Sequence, residues 1–195
     1  MMFRKIVTTV VVCCLVLSLA LMMAGCDAIR GFVESDNQYQ ELLQDATEPD
    51  VDDGSPVGKT APDFALTDST GHEMRFSDIN GKPKVLNFWA SWCPPCREEM
   101  GAFQEEYTKN GDAVDFIMIN IGTQGDTLDT AKSFLAENSY TFEPFLDHAG
   151  EGAGAYRVTG VPTTVIIDGD GIIAAYYIGA INSETLHAEL VSVLR

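Results

Sequence analysis

The chain predicts an α/β domain built on a mixed central sheet with helices on both faces. Three observations carry this expectation. From Val57 onward, short runs rich in branched and aromatic residues alternate with segments whose apolar residues recur at helical spacing. Turn-forming clusters at Asp68-Ser69-Thr70-Gly71 and Asp168-Gly169-Asp170-Gly171 each sit between two such runs, the pattern of a hairpin. Between these hairpins, a strand-like run passes directly into a helical stripe. With 195 residues, 46% of them hydrophobic, the chain suffices for one such domain plus appendages and not comfortably for two.

Phe64-Ala65-Leu66 and Met74-Arg75-Phe76 are the arms of the first hairpin, and Asn80-Gly81 is a turn leading to a buried strand, Val85-Leu86-Asn87-Phe88-Trp89. Cys96, Met100, Phe103 and Tyr107 form the inward stripe of the next helix. Pro94 and Pro95 are tolerated at its start, where the N–H groups have no helical acceptor. Val114 to Ile121 reads as a strong strand, and Thr127 to Asn138 as a helix turning Ala131, Phe134 and Leu135 inward. A short strand near Phe145 and Leu146 precedes a small helix around Ala155. Thr163 to Ile167 and Ile172 to Ile178 make the second hairpin. Ser183 then caps a last helix that buries Leu186, Leu190 and Leu194.

The chemistry concentrates in Trp92-Cys93-Pro94-Pro95-Cys96 at the strand-to-helix junction. This placement sets Cys93 at or just before the helix N-terminus, near solvent, and Cys96 on the inward stripe. Two intervening residues let the sulfurs reach disulfide distance. The unpaired N–H groups and positive end of the helix favour a thiolate at Cys93. Such a thiolate attacks a partner disulfide, and the second thiol releases the mixed disulfide. A zinc site would need two more ligands, yet there is no second Cys-x-x-Cys and His72, His148 and His187 are scattered, so no metal is expected. A permanently closed structural disulfide would constrain little chain entropy across so short a loop. The redox pair itself is the only cofactor expected. A metal-delivery module using the two cysteines with a histidine is the reading from a different class.

The formal charge of −17 argues against nucleic acid and against direct adsorption to anionic lipid. Arg4 and Lys5 precede an apolar run from Ile6 to about Gly25, the pattern of an export signal with its basic end inside. Cys13 and Cys14 fall within that run and act as small hydrophobes. Met23-Ala24-Gly25-Cys26 resembles a lipobox, with Met where Leu is usual. Cleavage before Cys26 and acylation there would anchor the chain, each buried methylene contributing about 0.8 kcal/mol. An uncleaved signal anchor is the alternative, since the run is nearly long enough to span a bilayer. Residues 26–56 are rich in acids, with Arg30 the only base, and read as a self-repelling tether. The organisation expected is therefore a signal peptide (1–25), a tether (26–56) and a globular domain (57–195) outside the cytoplasm.

Ala61-Pro62-Asp63-Phe64, the run from Asn87 to Cys96, and Gly160-Val161-Pro162-Thr163-Thr164 occur in that order. Together they resemble the ResA/TlpA-like branch of the thioredoxin family, membrane-tethered extracytoplasmic thiol-disulfide oxidoreductases. The resemblance spans roughly Val57 to Arg195. It implies a thioredoxin-like fold with the N-terminal β-hairpin as an extension, Cys93 as nucleophile and Cys96 as resolving thiol. Val161-Pro162 matches the family's cis-proline loop, and an X–Pro bond reaches the cis form at a cost of about 0.5–1 kcal/mol. From the residues alone, Pro162 would instead open an edge strand. Trp92, Pro94, Pro95, Val161 and Pro162 are then the substrate-contact residues. Glu99 stands where ResA-like proteins carry a functional glutamate, and partial burial would let it take the Cys96 proton. As a first-turn carboxylate it would instead complement the helix dipole together with Glu98.

Direction follows from what the motif lacks. Pro94 and Pro95 bring no N–H donors, Arg97 is the only local base, and Glu98 and Glu99 oppose a thiolate. A strong oxidant needs a heavily stabilised thiolate, so a reductant is expected. The resemblance implies exported disulfide proteins as clients, apocytochrome c foremost, and a membrane-embedded thiol carrier as donor. The expected state is a monomer held at the membrane by lipid. A thiol peroxidase of the same fold is the alternative enzyme. Peroxiredoxins share Ala-Pro-Asp-Phe, but their Thr-x-x-Cys nucleophile context is absent.

Overall fold

In the computed structural model, residues 55–79 and 81–195 are described. In chain order they form β1 (Ala65–Thr67), β2 (Glu73–Arg75), a 3-10 turn (Phe76–Asp78), β3 (Lys84–Trp89) and α1 (Pro94–Asn110). Then follow β4 (Asp115–Asn120), α2 (Leu128–Glu137), β5 (Pro144–Leu146), α3 (Glu151–Ala155), β6 (Thr163–Ile167), β7 (Ile173–Ile178) and α4 (Ser183–Val193). The expected signal peptide, Cys26, all but the end of the tether, and Asn80 of the expected turn lie outside the described residues.

All six residues of β3 are buried, which explains the near-continuous apolar run in its sequence. It pairs in parallel with β4 and antiparallel with β6, inside a seven-strand mixed sheet ordered β2-β1-β5-β4-β3-β6-β7. The first hairpin joins the sheet through β1, where Thr67 pairs with Leu146 of β5, and so extends it at one side.

Alternation along the strands divides the core into two layers. Val85 and Trp89 of β3, Phe116 and Met118 of β4 and Ile166 of β6 face α1, α2 and α4, meeting Cys96, Met100, Phe103, Phe134, Leu186 and Leu190. Leu86, Phe88, Ile117, Ile119, Val165 and Ile167 face the opposite side, where Phe64, Phe76 and Tyr156 cluster. Helices thus cover both faces unequally, three on one and the short α3 on the other. Full burial of each such side chain contributes about 1.5–3 kcal/mol. Gly152 lets α3 approach this second layer, since a Cβ there would lie 2.5 Å from a Phe64 ring carbon.

Ala-Pro-Asp-Phe has a structural meaning here. Asp63 accepts hydrogen bonds from the Ser77 N–H and Arg75 Nε, each at 2.9 Å, and Arg75 reaches Glu151 of α3 at 3.1 Å. The motif pins the N-terminal arm to the hairpin and to α3.

Four local expectations are corrected. Asn182, not Ser183, caps α4, its Oδ1 accepting from the Thr185 N–H at 2.8 Å. Leu194 falls at the C-cap of α4 and is 40% exposed, because the helix ends before another turn can carry it back to the core. Phe76 enters the 3-10 turn rather than β2, although its N–H still bonds the Phe64 carbonyl at 2.9 Å. Pro162 precedes no edge strand: β6 lies between β3 and β7.

Candidate active site

At the end of β3 the chain turns through Ala90, Ser91 and Trp92, with the Cys93 N–H bonded to the Ala90 carbonyl at 3.2 Å. Cys93 has extended backbone angles and is the N-cap of α1, with prolines in the first helical turn behind it. Its Sγ accepts from the Cys96 N–H at 3.3 Å, as a helix-capping oxygen would. Cys93 and Cys96 are joined as a disulfide, with Cα atoms 5.3 Å apart.

The expectation that Cys93 lies near solvent is corrected: it is 3% exposed, and Cys96 is fully buried. The covering group comes from the Val161-Pro162 loop, whose peptide is cis. The Val161 carbonyl oxygen lies 3.6 Å from Cys93 Sγ, positioned to accept from the thiol when the pair is reduced. Of the expected substrate-contact residues, Trp92, Pro94 and Pro95 are exposed around the sulfurs, Val161 is half-buried and Pro162 is buried. The Trp92 indole donates to the Thr123 carbonyl at 3.1 Å, which fixes its ring beside the dithiol.

Glu99 sits one helical turn beyond Cys96 and is only 4% exposed. One carboxylate oxygen accepts from Asn87 Nδ2 at 2.8 Å and the other from the Ile181 N–H at 2.9 Å. Burial pushes its pKa up to about 7, and those two donors pull against the shift. Of its two expected placements, the structure shows the core one; Glu98, by contrast, is exposed at the helix surface. Arg97 stacks its guanidinium 5.4 Å from the Phe134 ring centroid.

Two polar groups around the dithiol escaped the sequence reading. Asn87 lies mid-strand under α1, and its amide also donates to Thr164 Oγ1 at 3.1 Å. The one available sign was an asparagine interrupting an apolar run. Asp126, in the loop after β4, accepts from the Ser91 N–H at 2.7 Å, from the Ser91 hydroxyl, and from Asn120 Nδ2 at 2.9 Å. Burial raises its pKa, but these donors with Thr130 outweigh burial and hold it below the usual carboxylate range. No spacing rule connects Asp126 to Ser91. Among the described residues, no group of three or more His, Cys, Asp or Glu side chains is placed to hold a metal ion.

Dithiol chemistry at a helix N-terminus of a thioredoxin-like fold defines the class: this is a thiol-disulfide oxidoreductase. Comparison with known proteins narrows the class to a family. Residues 57–176 match the AhpC/TSA family. The chain belongs to that family, and its curated relatives include thiol-disulfide oxidoreductases of the ResA type. It is 37% identical over 140 residues to thiol-disulfide oxidoreductase ResA of Geobacillus kaustophilus, covering 70% of this chain and 78% of that protein. Thioredoxin-like protein YneN of Bacillus subtilis is 31% identical over 137 residues, covering 70% and 80%. Among solved structures, a putative thiol:disulfide interchange protein DsbE from Chlorobium tepidum superposes with a TM-score of 0.63 at 31% identity, covering 71% of this chain and 98% of that one. A secreted Mycobacterium tuberculosis disulfide oxidoreductase homologous to E. coli DsbE gives 0.58 at 25% identity, covering 66% and 95%.

Proposed function

We propose that the protein reduces disulfides of exported proteins at the outer face of the cell membrane, with Cys93 as nucleophile and Cys96 as resolving thiol. The observation that carries this reading is the disulfide-competent pair with a buried carboxylate one turn behind its second member. In the reduced protein, the Cys93 thiolate attacks a client disulfide, forms a mixed disulfide and expels one client thiolate. Cys96 passes its proton to Glu99 and attacks the Cys93 sulfur. The Cys93–Cys96 disulfide forms, the second client sulfur leaves as a thiolate, and two electrons have passed to the client. Incoming thiols of a membrane-embedded carrier reverse the exchange and restore the dithiol.

Support for the reducing direction comes from the scarcity of groups that stabilise the Cys93 thiolate. Its Sγ accepts from the Cys96 N–H, the two prolines contribute no donor, and Arg97 is turned onto Phe134. Clients dock against Trp92, Pro94, Pro95 and the Val161-Pro162 loop. Apocytochrome c is the foremost client by family resemblance. The secreted relative supports an extracytoplasmic location. In this reading Cys26 carries the lipid anchor, residues 26–56 are the tether, and the protein acts as a monomer.

The test is intermediate trapping in cells. Cys96→Ser should accumulate mixed disulfides with client proteins, and Cys93→Ser should not. Equal trapping by both variants would overturn the assigned roles, and identification of the trapped proteins names the clients.

A further inference from the structure

Asn87 lies fully buried at the middle of β3, directly paired in register with Thr164 of β6. Both hydrogens of its amide are used, one on Glu99 Oε1 and one on Thr164 Oγ1. Its Oδ1 makes no hydrogen bond. The second Glu99 oxygen also faces a donor, the Ile181 N–H. Every partner of the carboxylate therefore donates, which suits an ionised Glu99 and offers nothing to a protonated one. A buried hydroxyl of the carboxylic acid needs an acceptor.

The acceptor is already at hand on the other end of the same amide. Turning the Asn87 amide over would bring Oδ1 to the Glu99 O–H. Thr164 would keep its bond by donating rather than accepting, since a hydroxyl does both. Each orientation satisfies one end of the amide completely and leaves the other end unpaired. The two arrangements are matched in hydrogen-bond count, and the proton on Glu99 decides between them.

We infer that Asn87 is a positioning residue for the resolving step, a buried amide that donates to Glu99 when the carboxylate is ionised and turns to accept from it once it has taken the Cys96 proton. This rests on Glu99 being the proton acceptor, as proposed above. Few other charges act on it. On α1, Arg97, Glu98 and Glu105 are exposed, while Glu106 is held by Lys109, Asn110 and His187 further along the helix. On β3, the Lys84 ammonium bonds the Lys82 carbonyl. On α4, Glu184 is exposed and Glu189 is bound by the Tyr177 hydroxyl. β6 carries no ionisable side chain. Cys93 and Cys96 are the groups left to titrate against Glu99, and in the disulfide form they do not.

The experiment is a side-chain NMR titration of the oxidised protein, following the Glu99 carboxyl carbon and the Asn87 amide. The Asn87 signals should move with the same midpoint as Glu99, and Glu99→Gln should abolish that movement. Asn87→Leu, which removes donor and acceptor together at the same heavy-atom count, should raise the Glu99 midpoint by about 1 pH unit or less, because the bond to the charged carboxylate is the stronger of the two it removes. It should move the pH profile of disulfide resolution the same way, and lose that effect in a Glu99→Gln background. Asn87 signals that stay flat while Glu99 titrates, or a rise of about 2 pH units in Asn87→Leu as a donor-only amide would give, would overturn the inference. If instead Glu99→Gln leaves the pH profile of resolution unchanged, it is the proton-acceptor reading that fails.

Discussion

At the scale of single residues, burial separates two neighbouring glutamates that look equivalent in sequence. Glu99 titrates near pH 7 in the fold, against 4.5 for an ordinary glutamate. Because its folded pKa is the higher one, the native state holds the proton more tightly than the unfolded chain. The resulting penalty is absent below about pH 4.5, grows between the two pKa values and is complete above pH 7. A shift of that size corresponds to about 3 kcal/mol. Glu99→Gln should therefore stabilise the oxidised protein by up to that amount at pH 8, and the gain should vanish toward pH 4.5. Urea denaturation across this range checks it, and a gain independent of pH would mean that folding does not raise the Glu99 pKa. Kinetically, Glu99→Gln should slow resolution and flatten its pH dependence, whereas exposed Glu98→Gln should do neither. Cys93 teaches a complementary lesson. Its place at the helix start was legible in local spacing, but its covering carbonyl belongs to Val161, 68 residues away.

Individual elements were legible to different depths. The stripe of Cys96, Met100 and Phe103 located α1, because helical periodicity is a local property. The same stripe gave no hint that Glu106 is buried among them, held by Lys109, Asn110 and His187 of α4. Its partner on α4 arrives only when two helices pack. At the start of α4, Asn182 and Ser183 are both good capping residues and stand side by side. The choice falls to backbone geometry: Asn182 is extended at φ −88° and ψ 169°, while Ser183 is already the first helical residue. Asn182→Ala should cost about 1 kcal/mol of stability and Ser183→Ala much less, as read by chemical denaturation. Equal losses would mean that the cap is shared.

For the whole molecule, the prediction that belongs to this scale is the lipid anchor proposed at Cys26. Met23-Ala24-Gly25-Cys26 motivates cleavage and acylation at Cys26. Intact-mass analysis of membrane-extracted protein should show loss of residues 1–25 and added acyl mass, and Cys26→Ala should release the domain from the membrane or retain the leader. An unmodified chain still beginning at Met1 would mean a transmembrane signal anchor instead. Among the described residues, no helix is long and apolar enough to cross a membrane.

The sequence by itself determined the alternation of strands and helices, both hairpins, and the redox pair at the β3–α1 junction. Each depends on residues within a few positions of one another, through side-chain period, turn chemistry or helix-end geometry. The tertiary structure decided which groups surround that pair. The parallel pairing of β3 with β4 and the insertion of β6 beside β3 bring Thr164 under Asn87 and Val161 over Cys93. The segment before α4 delivers the Ile181 N–H to Glu99 across 82 residues. Desolvation, which gives Glu99 a pKa near 7, exists only when these distant pieces close over it together.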